Sequence, residues 1–400
     1  MKSIRNVYKI GSGPSSSHTM GPQNACVKFI EKYPNIKEVT CELYGSLALT
    51  GKGHLTDYII EKTFGSIPIK INFLMTKTLP KHENGMKLIA TLDNSEVVEW
   101  NIYSIGGGDI EIDELGNNNT EEKIYLLDSM SEIRNYCAKN ELSFFEYVMK
   151  FEPEVYDYMK EVWEVMDNAI IEGLKAEGVL PGPLKVKRRA AILSDGENYD
   201  RELILSSYAY AVSEQNSSGG IIVTAPTCGA CGVMPSVLKF YKEEYNLSDE
   251  KIYEALIVAG LFGNVVKTNA TVSGAEAGCQ AEIGTATSMA AAAIMYIKNG
   301  TNEQIEAAAE IALEHQLGLT CDPILGYVQI PCIQRNAVGA SKARLAAKLA
   351  LKNSELSVID FDTIVKVMYE TGKDMASTYR ETSTGGLAKF YKMKAELEND

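Results

Sequence analysis

The stretch DELGNNNTE, residues 113–121, decides how this chain divides. It is polar, carries one glycine and three asparagines, and separates two hydrophobic rhythms. Before it, apolar and polar residues alternate with the period of two that a half-buried strand requires. After it, apolar residues recur every three or four positions, as along one face of a helix. The pattern predicts an α+β chain: an N-terminal α/β domain over residues 1–115, then a larger, mainly α-helical domain over residues 122–400.

Working back from the boundary, SIPIKINFLM, KLIATLD and EVVEWNIYSI alternate with turns and read as strands, as does VTCELYGSLAL, residues 39–49. Helices are expected up to about Tyr33 and after the turn TGKGHLTD, and the layer closes on Gly106-Gly107-Gly108. Ahead of these lies IGSGPSSSHTMGP, residues 10–22. Its glycines and proline break regular structure, and Ser15, Ser16, Ser17, His18 and Thr19 then offer hydroxyls and an imidazole beside exposed backbone N–H donors. Such a turn suits a carboxylate or another small anion, while a capped helix with a loose lead-in is the plainer alternative. Of four histidines in the chain, His18, His54 and His82 all fall in turn segments of this first domain, where an imidazole can exchange protons with a ligand.

Working forward, helices are expected near EEKIYLLDSMSEIRNYCAKN, SFFEYVMKFEPEVYDYMKEVWEVMDNAIIEGLKAE and DRELILSSYAYAVSEQNSS. The basic loop GVLPGPLKVKRRAA, residues 178–191, reads as a surface connection. In SSGGIIVTAPTCGACGVMP a short β-rich run meets a turn and a new helix, so backbone donors from Thr227 to Gly232 would face a cavity. Between Ser273 and Ala337 three cysteines stand apart. Cys279 follows Gly278, Cys321 precedes Asp322-Pro323 and Cys332 follows Pro331, so each thiol is offered from a turn or helix end, where thiolates can converge on a soft metal or cluster. Cys228 and Cys231 form a C-x-x-C that points to zinc or redox chemistry, although no second such pair exists. Cys26, Cys41 and Cys137 lie in apolar patterns and read as packing residues.

Composition narrows the function class. A net charge of −14 argues against a nucleic-acid partner, and 45% hydrophobic content over 400 residues is ample for a packed core. No apolar leader or 18-residue uncharged run occurs, so the chain is expected to be cytoplasmic, without a membrane span. Eight cysteines without a secretion signal are expected as free thiols or metal ligands, not as a disulfide framework.

Taken in order, GPSSSHTMGP, YGSLALTGKGHLTD, SIGGGDI, GGIIVTAPTCGACG, SGAEAGCQAEIG, EHQLGLTCDPILGYVQIPCIQRNA and YETGKDMASTYRETSTGGLA resemble the bacterial iron–sulfur L-serine dehydratases (L-serine ammonia-lyases). The β-type part comes first and the α-type part second in one chain, and the resemblance spans nearly all of it. It implies a [4Fe–4S] cluster held by Cys279, Cys321 and Cys332, with one iron left open, and conversion of L-serine to pyruvate and ammonia in the helical, catalytic domain. His54 is the preferred base, with His18 as second choice or as proton donor. Ser15, Ser16, Ser17 and Thr19 would bind the substrate carboxylate with help from Gly107, Gly108, Thr227 and Gly229, and Ser273 and Glu276 would hold the ammonium group or position groups near the cluster. The same elimination on threonine or cysteine, or a non-catalytic metal-binding or sensor homologue, are the alternatives. A homodimer is the default assembly. Family members commonly carry a cysteine shortly after the SxGGLA motif, whereas this chain continues as AKFYKMKAELEND, so a more exposed, oxygen-labile cluster is expected. The first domain is also short for a single-chain form.

Overall fold

The computed structural model describes residues 1–118, 123–194, 200–353 and 358–397. Residues 119–121 of the predicted boundary therefore lie outside the described residues, and its first part, Asp113–Asn118, is a 3-10 turn. The strands are β1 (Ile10–Ser12), β2 (Ile36–Tyr44), β3 (Ile69–Leu74), β4 (Gly85–Leu92), β5 (Val97–Gly106), β6 (Asp109–Ile112) and β7 (Ile221–Val223).

Five of them form a sheet in the order β3-β2-β4-β5-β6, in which only β2 and β3 run parallel. A parallel pair needs a crossover, and the helix Thr56–Phe64 supplies it. Alternate residues Met86, Leu88 and Ala90 of β4, with Trp100 and Ile102 of β5, bury against Phe29, Ile59, Ile60 and Phe64 of the covering helices. That alternation is the period of two seen in the sequence.

The strand expected over VTCELYGSLAL stops at Tyr44, and Gly45–Thr50 is helical. The chain turns at Gly45, whose φ is +50° and whose missing Cβ would collide with the Glu83 carbonyl. The short helix presents Ser46 and Thr50 to the histidines. Similarly, the helix expected from the stretch beginning EEKIYLL starts only at Met130, capped by Ser129, and Pro153 lies between the helices Phe144–Phe151 and Val155–Lys175.

The larger, helical body is built around Asp249–Asn269 and Thr285–Ile297. Ala290, Ala291, Ala292 and Ala293 are all fully buried, so neighbouring helices approach closely along the whole circumference. The first residues of the chain pack into this body as well: Ile4, Val7 and Tyr8 are fully buried, and Tyr8 Oη donates to the Leu256 carbonyl at 2.9 Å. β1 then pairs antiparallel with β7. The serine-rich turn thus leaves the helical body facing the sheet. Asp109, at the end of the β5–β6 hairpin, binds Lys9 and Lys267, the latter at 2.5 Å. Burial pushes its carboxyl up, but the two ammonium groups outweigh that and hold it below the usual range.

Among the buried polar groups, Glu310 offers a test of the helical core. It is 4% exposed, and burial together with Glu314 pushes its carboxyl up to about 7 from 4.5. Between those values the folded chain keeps a proton that the unfolded chain has released, so stability falls as pH rises through the window. Glu310→Gln is expected to raise Tm at pH 8 by roughly 1–2 °C and to change it little at pH 4.5. Calorimetric scans at both values check this; an equal shift at each would count against a buried carboxyl as the cause.

Candidate active site and metal centre

Ser16–Met20 form a single π-helical turn, a geometry frequent at functional sites, and all five of its residues are buried. Ser15 caps it, its Oγ accepting from the His18 backbone N–H at 3.1 Å. The two histidine rings lie 4.4 Å apart, centroid to centroid, and both are buried. Hydrogen bonds assign their tautomers. Ser46 Oγ donates to the Glu381 carbonyl at 2.8 Å, so its lone pair receives His18 Nε2–H at 3.2 Å, and His18 Nδ1 accepts from Ser17 Oγ at 2.9 Å. Thr50 Oγ1 donates to the Ser46 carbonyl at 3.0 Å and so receives His54 Nδ1–H at 3.1 Å. The lone pair of His54 Nε2 is left facing Glu381 Oε1 at 4.0 Å, and His18 Nδ1 lies 3.5 Å from the same oxygen.

Burial keeps both imidazoles neutral: it lowers His18 to about 4 and His54 well below the usual range. Glu381 moves the other way. Burial, reinforced by Cys279, pushes its carboxyl up to about 8, so at neutral pH it keeps a proton beside two bases.

Glu381 reaches this position through the cysteine loop. Cys321 N–H donates to the Tyr379 carbonyl at 2.7 Å and Glu381 N–H to the Cys321 carbonyl at 2.8 Å. Ser383 Oγ donates to the Pro323 carbonyl at 2.7 Å, and Leu387 N–H to Asp322 Oδ2 at 2.7 Å. Glu381 and Ser383 adopt φ values of +56° and +54°, a conformation that non-glycine residues rarely take and that occurs here in the turn carrying Glu381.

The three cysteines of the Ser273–Ala337 stretch are all buried. Cys279 opens a second π-helical turn, Gln280–Gly284, and Cys332 begins the helix Cys332–Asn353. Cys279 Sγ and Cys321 Sγ each lie 3.8 Å from Glu282 Oε2, whose other oxygen accepts from Thr227 Oγ1 at 2.8 Å. A hydrogen bond from Cys321, with Arg335 nearby, lowers the Cys279 thiol to about 6 despite its burial. Burial and the Cys279 charge push Cys332 up, while Arg335 acts against them. A Cβ on Gly274 would lie 3.3 Å from Cys321 Sγ and 2.6 Å from Glu282 Oε2, so the wall facing the thiols is bare backbone. Two sets of ligating atoms each fit within 4.8 Å: His18, His54 and Glu381, and Cys279, Glu282 and Cys321.

The remaining candidates distribute around this centre. Gly229 backs onto Glu282, Gly107 faces Lys267 and the Pro226 carbonyl, and Gly108 lies against Met20. The Thr19 hydroxyl donates to the His54 carbonyl at 2.7 Å, which commits it to holding the second histidine. Glu276 pairs with His82 at 3.6 Å and receives the Thr271 hydroxyl. His82 and Glu276 also line a cleft of about 370 Å³ with Lys81, Lys373 and Arg380. Cys228 and Cys231 do not join the other thiols; they pack with Met20, Ile170, Val212 and Ile222, and Cys228 Sγ lies 3.8 Å from Met20 Sδ. In the basic loop, Arg188 is tied to Ser218 Oγ at 2.7 Å.

Glu282, Arg335 and Glu381 were not singled out from the sequence. The first two carry a local signal, since Cys279-x-x-Glu282 and Cys332-x-x-Arg335 place each partner one helical turn from its cysteine. Glu381 carries none.

Buried imidazoles beside a buried carboxyl, and two thiols beside a second buried carboxyl, are groups that could exchange protons and hold a metal ion. Two family models match the chain, "Serine dehydratase beta chain" over residues 3–65 and "Serine dehydratase alpha chain" over residues 76–388. The chain is 40% identical to L-serine dehydratase TdcG of Escherichia coli K12 over 448 residues, covering 97% of this chain and 99% of the relative. It is 40% identical to an L-serine dehydratase of Helicobacter pylori (98% and 99% covered) and 38% identical to one of Streptomyces coelicolor (96% and 98%). The chain belongs to the iron–sulfur L-serine dehydratase family, in its single-chain form. No described helix is long and apolar enough to cross a membrane.

Proposed function

We propose that this protein is an L-serine ammonia-lyase, which removes water from L-serine and releases pyruvate and ammonia. The observation that carries the reading is the position of Glu381, hydrogen-bonded through its backbone to Cys321 while its carboxyl faces His18 and His54. Proton transfer and metal chemistry then act on one small substrate, drawn from residues in both the 1–115 and 122–400 regions.

Cys279, Cys321 and Cys332 would hold a [4Fe–4S] cluster. The donor set fits: three thiols of soft character, a guanidinium at Arg335 to offset their negative charge, and a glycine-bare wall at Gly274. When bound, a cluster with three cysteine ligands supplies an open, Lewis-acidic iron for the substrate's 3-hydroxyl.

Serine has a weakly acidic Cα–H and a poor leaving group, so both ends need help. His54 Nε2, with its lone pair directed inward, takes the α-proton. The Glu381 carboxyl delivers its proton to the departing hydroxyl, which leaves as water. The resulting enamine tautomerises to an imine, and hydrolysis gives pyruvate and ammonia. The proton on His54 returns to the Glu381 carboxylate across the 4.0 Å that separates them, closing the cycle. His18, fixed between Ser17 and Ser46, orients Glu381 from its other side.

Anaerobic assay of pyruvate release from L-serine, with iron and sulfide analysis of the same protein, tests this. About four irons per chain and turnover of serine are expected. An intact cluster that yields no 2-oxo acid from L-serine, L-threonine or L-cysteine would overturn the lyase reading. Preference for L-threonine or L-cysteine would keep the elimination and change the substrate.

A further inference from the structure

Buried polar atoms in folded proteins are almost always paired, so those left alone in one region call for an explanation. Ser104 Oγ, Ser273 Oγ and Asn84 Oδ1 have no hydrogen-bond partner among the described residues, and their residues are 2%, 2% and 0% exposed. They converge. Ser104 N–H donates to the Asn84 carbonyl at 2.9 Å, and Asn84 Nδ2 lies 3.4 Å from the Ser104 carbonyl. Gly106, two residues further along β5, packs so closely on Ser273 that a Cβ there would lie 3.2 Å from the serine's own. Ser104 Oγ itself sits against Gly21, directly after the turn that carries His18.

Ser273 is the more telling of the two serines. It precedes the short helix Gly274–Ala277, where a serine hydroxyl ordinarily accepts a backbone N–H, yet its side chain makes no capping bond. Its backbone carbonyl receives Glu276 N–H and Ala277 N–H instead. In the serine-rich turn the opposite holds: Ser15, Ser17 and Thr19 spend their hydroxyls on one another and on the two histidines.

We propose that Ser104, Ser273 and Asn84 form the pocket for the substrate's amino-acid head group, and that Ser15, Ser17 and Thr19 act as positioning residues for the histidines. The two hydroxyls donate to the α-carboxylate, and Asn84 Oδ1 accepts from the ammonium group. The ligand class is a small, unmodified L-α-amino acid. This rests on the lyase reading above and adds the residues that recognise its substrate.

Ser104→Ala and Ser273→Ala test it separately, because removing a hydroxyl that has no protein partner leaves no other group unpaired. Each variant is expected to raise KM for L-serine roughly 10- to 100-fold, the loss typical of a hydrogen bond to a charged group, with kcat within about threefold of wild type and Tm unchanged. L-alanine keeps the head group and lacks the leaving group, so its inhibition constant should rise in parallel. KM and the L-alanine constant within about twofold of wild type in both variants would overturn the pocket, as would a Tm drop with no change in KM. Calorimetric titration of the cluster-loaded protein with L-alanine reads the pocket without turnover. Wild-type binding that both variants lose supports the pocket even if no pyruvate forms, whereas absent pyruvate alone defeats only the lyase reading.

Discussion

Cys321→Ala is expected to lose bound iron and turnover together, with the rate falling roughly a thousandfold or more, as befits removal of a ligand to a Lewis-acid centre. The substitution is clean because the backbone of Cys321, not its side chain, holds the Tyr379–Glu381 strap. Alanine keeps both of those hydrogen bonds, so Glu381 stays beside the histidines and only the thiol is gone. The metal-free variant should therefore unfold within a few degrees of metal-free wild type. Cys228→Ala is the matched comparison: its thiol is equally buried but packs against Met20 in an apolar cluster, and iron and sulfide content should be unchanged. Iron retained in Cys321→Ala, or lost in Cys228→Ala, would contradict the ligand set. Cluster absorbance and metal analysis on anaerobically purified protein decide between these outcomes.

Glu381→Gln is expected to lower kcat by roughly a hundred- to ten-thousandfold while iron content stays at the wild-type level, the range typical of losing a positioned proton donor. Glutamine keeps the volume and the backbone conformation at φ +56°, but it cannot release a proton to the departing hydroxyl. His54→Gln should fall in the same range for the complementary reason, that nothing then accepts the α-proton. Because the two groups return one proton to each other, the double variant should be little worse than either single one. Additive losses would mean that they act in independent steps. Exchange of the α-hydrogen of L-serine with deuterated solvent separates them further: it should persist in Glu381→Gln and vanish in His54→Gln. The reverse pattern would sink the assignment of base and acid.

The groups of largest predicted effect differ in how visible they were beforehand. Cys279, Cys321 and Cys332 stood out because glycine, proline and aspartate neighbours are incompatible with an ordinary packing run. Cys228 and Cys231 have equally turn-like surroundings, and no local signal separates them from ligands. What separates them is Met20, Ile170, Val212 and Ile222, supplied by distant parts of the chain. Glu381 is a sharper case, since its strap is held by the Cys321 backbone and by a hydrogen bond from Ser46, 335 residues earlier.

The sequence by itself determined the α+β division, the alternating strands of the sheet and the alanine-rich centre of the helical body. It also marked the turns that carry His18, His54 and the three cysteines. These are local properties, written in periods of two and 3.6 and in the backbone demands of glycine and proline. Only the tertiary structure decided which hydroxyls are spent and which are left over, which imidazole nitrogen keeps its lone pair, and that Tyr44 ends a strand while Gly45 starts a helix. Those outcomes depend on burial and on partners brought from far along the chain, and a polar side chain's role is set by whether its hydrogen bonds are already satisfied.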